Sequence, residues 1–152
     1  MMRKTMQLTG TVTSGLGRAH VFMAQSHYQD QFKSVLGNTA WPGTLNVDVK
    51  GSDLEKYRTL RIISGLEDGD VVDGPSPKRI VGFERDGKSF GGATAFIAEI
   101  TIEGGNSSTC AILIPDLTRH TETAEVISTS FLREVLPCED GTIVKIQLNS
   151  QI

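Results

Sequence analysis

Cysteine is scarce in this chain of 152 residues. Cys110 and Cys138 stand far apart and form no C-x-x-C pair. A disulfide between them stays open, but two reduced structural thiols in a cytoplasmic protein is the reading adopted here. The three histidines, His20, His27 and His120, lack metal-ligand spacing, which argues against structural zinc. Long apolar runs are missing too. No stretch approaches a membrane span, and the start "MMRKTMQLTG" lacks the apolar segment of a signal peptide, so no membrane role is expected. Basic runs are absent: Lys and Arg are scattered and the net charge is −3, which argues against a nucleic-acid partner. What remains is a globular composition, 38% hydrophobic and 22% charged. The length suits one domain with a real core and is short for two, so residues 1–152 read as a single domain.

Period two dominates the pattern. "MQLTGTVTSG" alternates and ends in glycine, a strand and turn, and "HVFMA" reads as a short second strand. "HYQDQFKSVLG" changes period: Tyr28, Phe32, Val35 and Leu36 share one helical face, with Gly37 as C-terminal cap. "TLNVDVK" is a strand, and "SDLEKYRTL" contains a helical turn. From Ser64 to Arg79 the chain turns rich in Gly, Asp and Pro, the composition of an extended loop. "IVGFERDGKSFGGATAFIAEITIEGG" reads as two strands about an Asp86-Gly87 turn. "TCAILIP", "AEVIST" and "GTIVKIQLN" add strands, and "SFLREVL" a short helix. Many short strands with few helices predict a small closed barrel with helical insertions.

Three stretches carry the residue types of a ligand site. In "SGLGRAHVF" the glycines at 15 and 17 permit close approach of backbone to a ligand, and Arg18 can add a cation for a phosphate. Alone, this reads better as a tight turn with an exposed arginine. In "PGTLNV" Thr44 and Asn46 are two apart, so on a strand they share a face while Leu45 points away. Two neutral oxygens together can ligate a hard cation such as Mg²⁺, whose shell is then completed by water and substrate phosphates. Alone, the pair is ordinary strand polarity. "PDLTRHTETAEVISTSFLRE" is dense in hydroxyls, carboxylates and donors, and sits where a loop between strands and a helix start meet. Alone, it is a solvated connection with a helix cap.

Taken in order, the segments "GTVTSGLGRAHVF", "YQDQFKSVLG", "WPGTLNV" and "TRHTETAEVISTSFLRE" resemble the archaeal-type CTP-dependent riboflavin kinase family over nearly the whole chain. The resemblance implies a mainly β fold, a six-stranded cradle-loop barrel with short helical insertions. It implies transfer of the γ-phosphate of CTP to the 5′-hydroxyl of riboflavin, giving FMN and CDP. By position it implies Thr44 and Asn46 as ligands of Mg²⁺, and Gly15, Leu16, Gly17, Arg18, Ala19 and His20 as a nucleotide loop. Ser130, Phe131, Leu132 and Arg133 match a second nucleotide segment, and Thr118 and Glu125 the flavin positions. The family often carries a glycine where Ala19 stands. For a general base to the ribityl hydroxyl the candidates are Glu125, Glu122 and His120, in that order. The alternative is a barrel that binds flavin or nucleotide as a regulatory module without phosphoryl transfer, and the two differ in whether FMN is made.

Overall fold

The computed structural model describes residues 5–15, 19–70 and 74–149. In chain order these form β1 (Thr5–Thr13), α1 (Ala19–Met23), α2 (Ser26–Leu36), β2 (Leu45–Asp48), α3 (Ser52–Ile63), β3 (Lys78–Ile80), β4 (Phe83–Arg85) and β5 (Lys88–Phe90). Then come β6 (Ala93–Ile102), β7 (Ser107–Pro115), β8 (Thr123–Ile127), α4 (Leu132–Val135) and β9 (Ile143–Asn149). The large sheet runs β3-β6-β7-β8-β2-β1-β9, and β6 also pairs with β9. That last pairing closes six antiparallel strands into a barrel, the architecture expected from the strand pattern. Closure leaves none of the six with a wholly unpaired edge.

Strand parity divides the chain between two clusters. Leu8, Val12, Val47, Phe96, Ile100, Ile112, Ala124, Val126 and Ile146 fill the barrel interior, joined by Tyr57 and Leu60 of α3 and by Leu132 and Leu136 at α4. Residues of opposite parity, Ala93, Ala95, Ala111, Leu113 and Ile127, line the outer wall, and Met23, Tyr28 and Phe32 of the first two helices pack on them. Because successive strand side chains alternate, β6, β7 and β8 serve both layers.

Helix α2 follows its periodicity: Tyr28 and Phe32 are buried, and Gly37 at φ 84° closes it, its N–H donating to the Lys33 carbonyl. Three local expectations are corrected. "HVFMA" is no strand; it lies in α1, whose Met23 is buried while Val21 and Phe22 are 61% and 50% exposed. Both edges of β1 are taken, by β2 and β9, so this segment had no neighbouring ladder there to join. "SDLEKYRTL" is not one turn but part of a twelve-residue helix that buries Tyr57, Leu60 and Arg61. The Asp86-Gly87 turn does join two strands, but they are the short β4 and β5 in a sheet of their own. Both turn residues have positive φ, 52° and 75°, as a two-residue hairpin of primed type requires. The long strand β6 begins only after Gly91 and Gly92. The Gly- and Asp-rich connection starts tethered, with Leu66 packed against the barrel core and Glu67 ion-paired to α3.

Candidate active site

Strand β2 turns Leu45 and Val47 into the core, which leaves Thr44, Asn46 and Asp48 on the outer wall. Antiparallel pairing extends this face sideways. Thr13 of β1 lies opposite Asn46, Asn46 opposite Glu125 of β8, and Glu125 opposite Leu113 of β7. One row thus crosses four strands, from a hydroxyl through an amide and a carboxyl to an aliphatic side chain.

The row joins two adjoining cavities. An apolar one of about 660 Å³ is walled by Met23, Tyr28, Phe32, Ile80 and Leu113, with Thr118 and His120 at its loop side. A more polar one of about 820 Å³ is walled by Thr13, Ser14, Gly15, Asn46, Asp48 and Arg133. Thr44, Glu125, His120, Ala19 and Phe22 line both. Burial pushes the Glu125 carboxyl above its ordinary value, with His120 pulling the other way. That is the expected consequence of a carboxyl set at an apolar boundary.

The polar side is held by short-range contacts between distant segments. The Thr44 hydroxyl donates to Asn46 Oδ1 at 3.0 Å, and Asn46 is only 7% exposed. Gly15 is pressed on the same amide: a Cβ there would stand 2.3 Å from Asn46 Nδ2. The Thr123 hydroxyl donates to Asp48 at 2.7 Å. Asp140 accepts from the Ser14 hydroxyl and, at 2.8 Å, from Arg133, and these two donors hold its carboxyl below the ordinary range. Arg133 also donates to the Thr13 carbonyl at 3.3 Å. Phe131 stacks on Trp41 with ring centroids 4.3 Å apart.

Of the residues singled out in the sequence, Gly15, Thr44, Asn46, Phe131 and Arg133 share the polar cavity, while Thr118 lies in the apolar one and Glu125 in both. Ser130 and Leu132 line a smaller recess beside them, with the Leu132 side chain buried in the barrel core. Ala19 opens α1 in right-handed helical backbone, so alanine fits where a glycine often stands. His20 lies in that helix. Leu16, Gly17 and Arg18 fall outside the described residues. Glu122 is exposed and lines neither cavity, its carbonyl accepting from Val49 N–H. Sequence reasoning missed Trp41, Phe22, Tyr28 and Asp140. Trp41 had a signal, being beside the Pro-Gly turn, whereas Asp140 meets Ser14 across 126 positions and had none.

As a cation cradle, the Thr44–Asn46 pair fits Mg²⁺ in chemistry, offering two neutral oxygens on one face. The two oxygens stand 3.0 Å apart as hydrogen-bond partners, and an ion would draw on the lone pairs that bond leaves free. Among the described residues no group of three or more His, Cys, Asp or Glu could hold a metal. Such an ion would therefore take most of its remaining ligands from water and a substrate.

Residues 12–148 match the family model CTP-dep_RFKase, Domain of unknown function DUF120. The chain belongs to this CTP-dependent riboflavin kinase family. It is 38% identical over 143 residues to a riboflavin kinase of Haloquadratum walsbyi, covering 93% of this chain and 56% of that protein. It is 31% identical over 147 residues to one of Thermoplasma acidophilum, covering 97% and 59%. Against a riboflavin kinase of Methanococcus vannielii it is 32% identical over 143 residues, covering 93% of this chain and 96% of that one. The chain thus spans under three fifths of the first two curated relatives. The riboflavin kinase family match takes in every residue of the row and both cavity walls.

Proposed function

We propose that this chain is a riboflavin kinase that transfers the γ-phosphate of CTP to the 5′-hydroxyl of riboflavin, giving FMN and CDP. The reading carries a Mg²⁺ ion on Thr44 and Asn46, a cytoplasmic setting and a single barrel domain as its working parts. One observation supports it most: an apolar and a polar cavity meet at Glu125 and Thr44, as two substrates exchanging one group require. The flavin ring suits the apolar cavity with Tyr28 and Phe32, its ribityl chain running past Thr118 toward Glu125. The nucleotide suits the polar cavity, its phosphates near Gly15, Asn46 and Arg133, with the segments at Gly15–His20 and Ser130–Arg133 around it.

In the reaction the ribityl oxygen bonds to the γ-phosphorus as the bond from that phosphorus to the β,γ-bridging oxygen breaks, and the hydroxyl proton leaves. Glu125 takes that proton; its raised affinity for a proton brings it closer to the working range of a base. Arg133 faces the charge gathered on the leaving diphosphate, and Asp140 and the Thr13 carbonyl keep its guanidinium in place. A bound Mg²⁺ would offset phosphate charge as the bond breaks. Positioning and charge stabilisation supply most of the catalysis of phosphoryl transfer, so no protein nucleophile is needed.

The test is direct. Purified protein with riboflavin and MgCl₂ is mixed with CTP or ATP, and the flavins are separated by chromatography. FMN with CTP and little with ATP is expected. FMN with ATP alone overturns the donor, and folded protein that makes no FMN with either becomes a binding module.

A further inference from the structure

Arg61 is the most deeply buried charged side chain among the described residues, 8% exposed on the core-facing side of α3. Removing a guanidinium from water costs several kcal/mol unless its donors are matched. Here Nε donates to Glu67 at 2.8 Å, and Nη1 donates to the main-chain carbonyl of His120 at 3.1 Å. His120 lies 59 positions further along, in the connection from β7 to β8. Nothing in the packing of α3 requires a cation: Tyr57 and Leu60 already fill its place in the barrel cluster.

The chain of bonds runs on from there. The peptide N–H of His120 donates to Thr118 Oγ1 at 3.1 Å. With one lone pair of that hydroxyl engaged, its own hydrogen is left to turn into the apolar cavity that Thr118 lines. Two steps therefore separate a buried guanidinium from a cavity-lining hydroxyl. The loop's other end is also tied by an arginine, Arg79 pairing with Asp116, with Nη1 to Oδ1 at 2.6 Å. That pair is a bidentate fork, half exposed, with Arg79 Nη1 also donating to the Ala93 carbonyl at 3.3 Å, and it anchors Asp116 rather than the peptide beside Thr118. Between the ties Leu117 is 86% exposed and holds nothing down. The buried tie is the one whose partner, the His120 main chain, is itself bonded to Thr118.

We propose that Arg61 is a positioning residue for the flavin: held by Glu67, it fixes the His120 peptide and through it the Thr118 hydroxyl. The proposal rests on the riboflavin reading of the apolar cavity. Its effect falls chiefly on flavin binding, because the bond chain reaches the site through the main chain of His120, which borders both cavities, and ends at Thr118, which lines the apolar one alone.

The experiment compares wild type, Arg61→Lys, Thr118→Val and the double variant. Riboflavin affinity is read by quenching of flavin fluorescence, which needs no turnover, and KM values are read by FMN formation with CTP. Lysine keeps the charge but cannot reach Glu67 and the His120 carbonyl with a rigid fork. Arg61→Lys is expected to weaken riboflavin binding about tenfold, the loss of one charge-assisted hydrogen bond, with the CTP KM within about twofold of wild type. Added to Thr118→Val it should cost almost nothing more, since both act through one hydroxyl. Equal losses for riboflavin and CTP, unchanged riboflavin affinity, or full additivity with Thr118→Val each overturn the proposal. If Arg61→Lys does not fold, Glu67→Gln takes its place, with a smaller loss of the same selectivity expected and the same outcomes decisive. Wild-type protein that binds riboflavin but makes no FMN removes the kinase reading and leaves Arg61 tested by affinity alone. Wild-type protein that binds no riboflavin removes both.

Discussion

The two cavities are built in opposite ways. The polar one rests on strands: Thr13, Asn46 and Glu125 are fixed by register, and the hydrogen bond Asn46 accepts from the Thr44 hydroxyl, with pressure from Gly15, leaves Asn46 little freedom. The apolar one is closed by added pieces, two helices, a small hairpin and the loop at residues 116–122. Those pieces are pinned at a few points, such as the Tyr28 hydroxyl on the Gly91 carbonyl at 2.6 Å and Gln31 on both polar atoms of the Val81 backbone. The difference teaches where each kind of tolerance lies. A site that must hold charge at fixed distances sits on the barrel wall, and a site that must accept a large planar ring is assembled over it.

The junction between them should be the most sensitive place. Glu125→Gln is expected to lower kcat for FMN formation by on the order of a hundredfold or more, the usual contribution of a positioned base. The same change should raise the melting temperature near neutral pH. Burial raises the folded-state pKa of Glu125 above that of the unfolded chain, so the folded protein holds the proton more tightly. Stability then falls as pH rises from the ordinary glutamate value through the raised one, and above it the cost of the buried carboxylate is present in full. The variant should therefore melt above wild type at neutral pH, and the two curves should converge on acidification. A variant that melts lower at neutral pH would show that Glu125 is stabilised by its ionised partners instead.

On the polar side, Asn46→Ala should cut kcat by on the order of a hundredfold while riboflavin affinity stays close to wild type, as loss of a charge-stabilising contact does. Riboflavin affinity falling in parallel would mean the two cavities are not separable. Gly15→Ala probes the same amide by crowding it rather than replacing it. Gly15 has no positive φ, and the three atoms nearest to the new methyl group all belong to the Asn46 side chain. A displacement of that amide should cost about tenfold in kcat, and wild-type turnover would show that Asn46 has room to move. The smallest effect is expected on the apolar side. Phe22→Ala removes an exposed ring that lines both cavities, and should weaken riboflavin binding about fivefold, with folding stability within about 0.5 kcal/mol of wild type. Thermal melts beside fluorescence titration decide it.

Much of this was legible locally. The alternation of "TLNVDVK" places Thr44 and Asn46 on one face with Leu45 and Val47 on the other, and the structure keeps that parity. Helix α2 and its glycine cap follow from a 3.6-residue period, and the Asp86-Gly87 hairpin from turn chemistry. Alternation misled at "HVFMA", where strand-like residues found no open edge beside β1. The length of α3 was underread because charged residues interrupt its apolar positions, and because one of its buried positions is an arginine whose partners lie elsewhere in the chain.

The sequence alone determined that Thr44 and Asn46 share a face, that the chain turns with positive φ at Gly37 and at Asp86-Gly87, and that it holds enough alternating apolar positions for a small barrel. Tertiary structure decided which face became barrel interior and which became the wall of a site. It set Gly15 against Asn46, Asp140 between Ser14 and Arg133, and Arg61 beneath His120. The reason is one of range. Period and turn chemistry act between near neighbours in the chain, whereas barrel closure brings together residues tens of positions apart and is selected by the burial of the whole core, which no local window records.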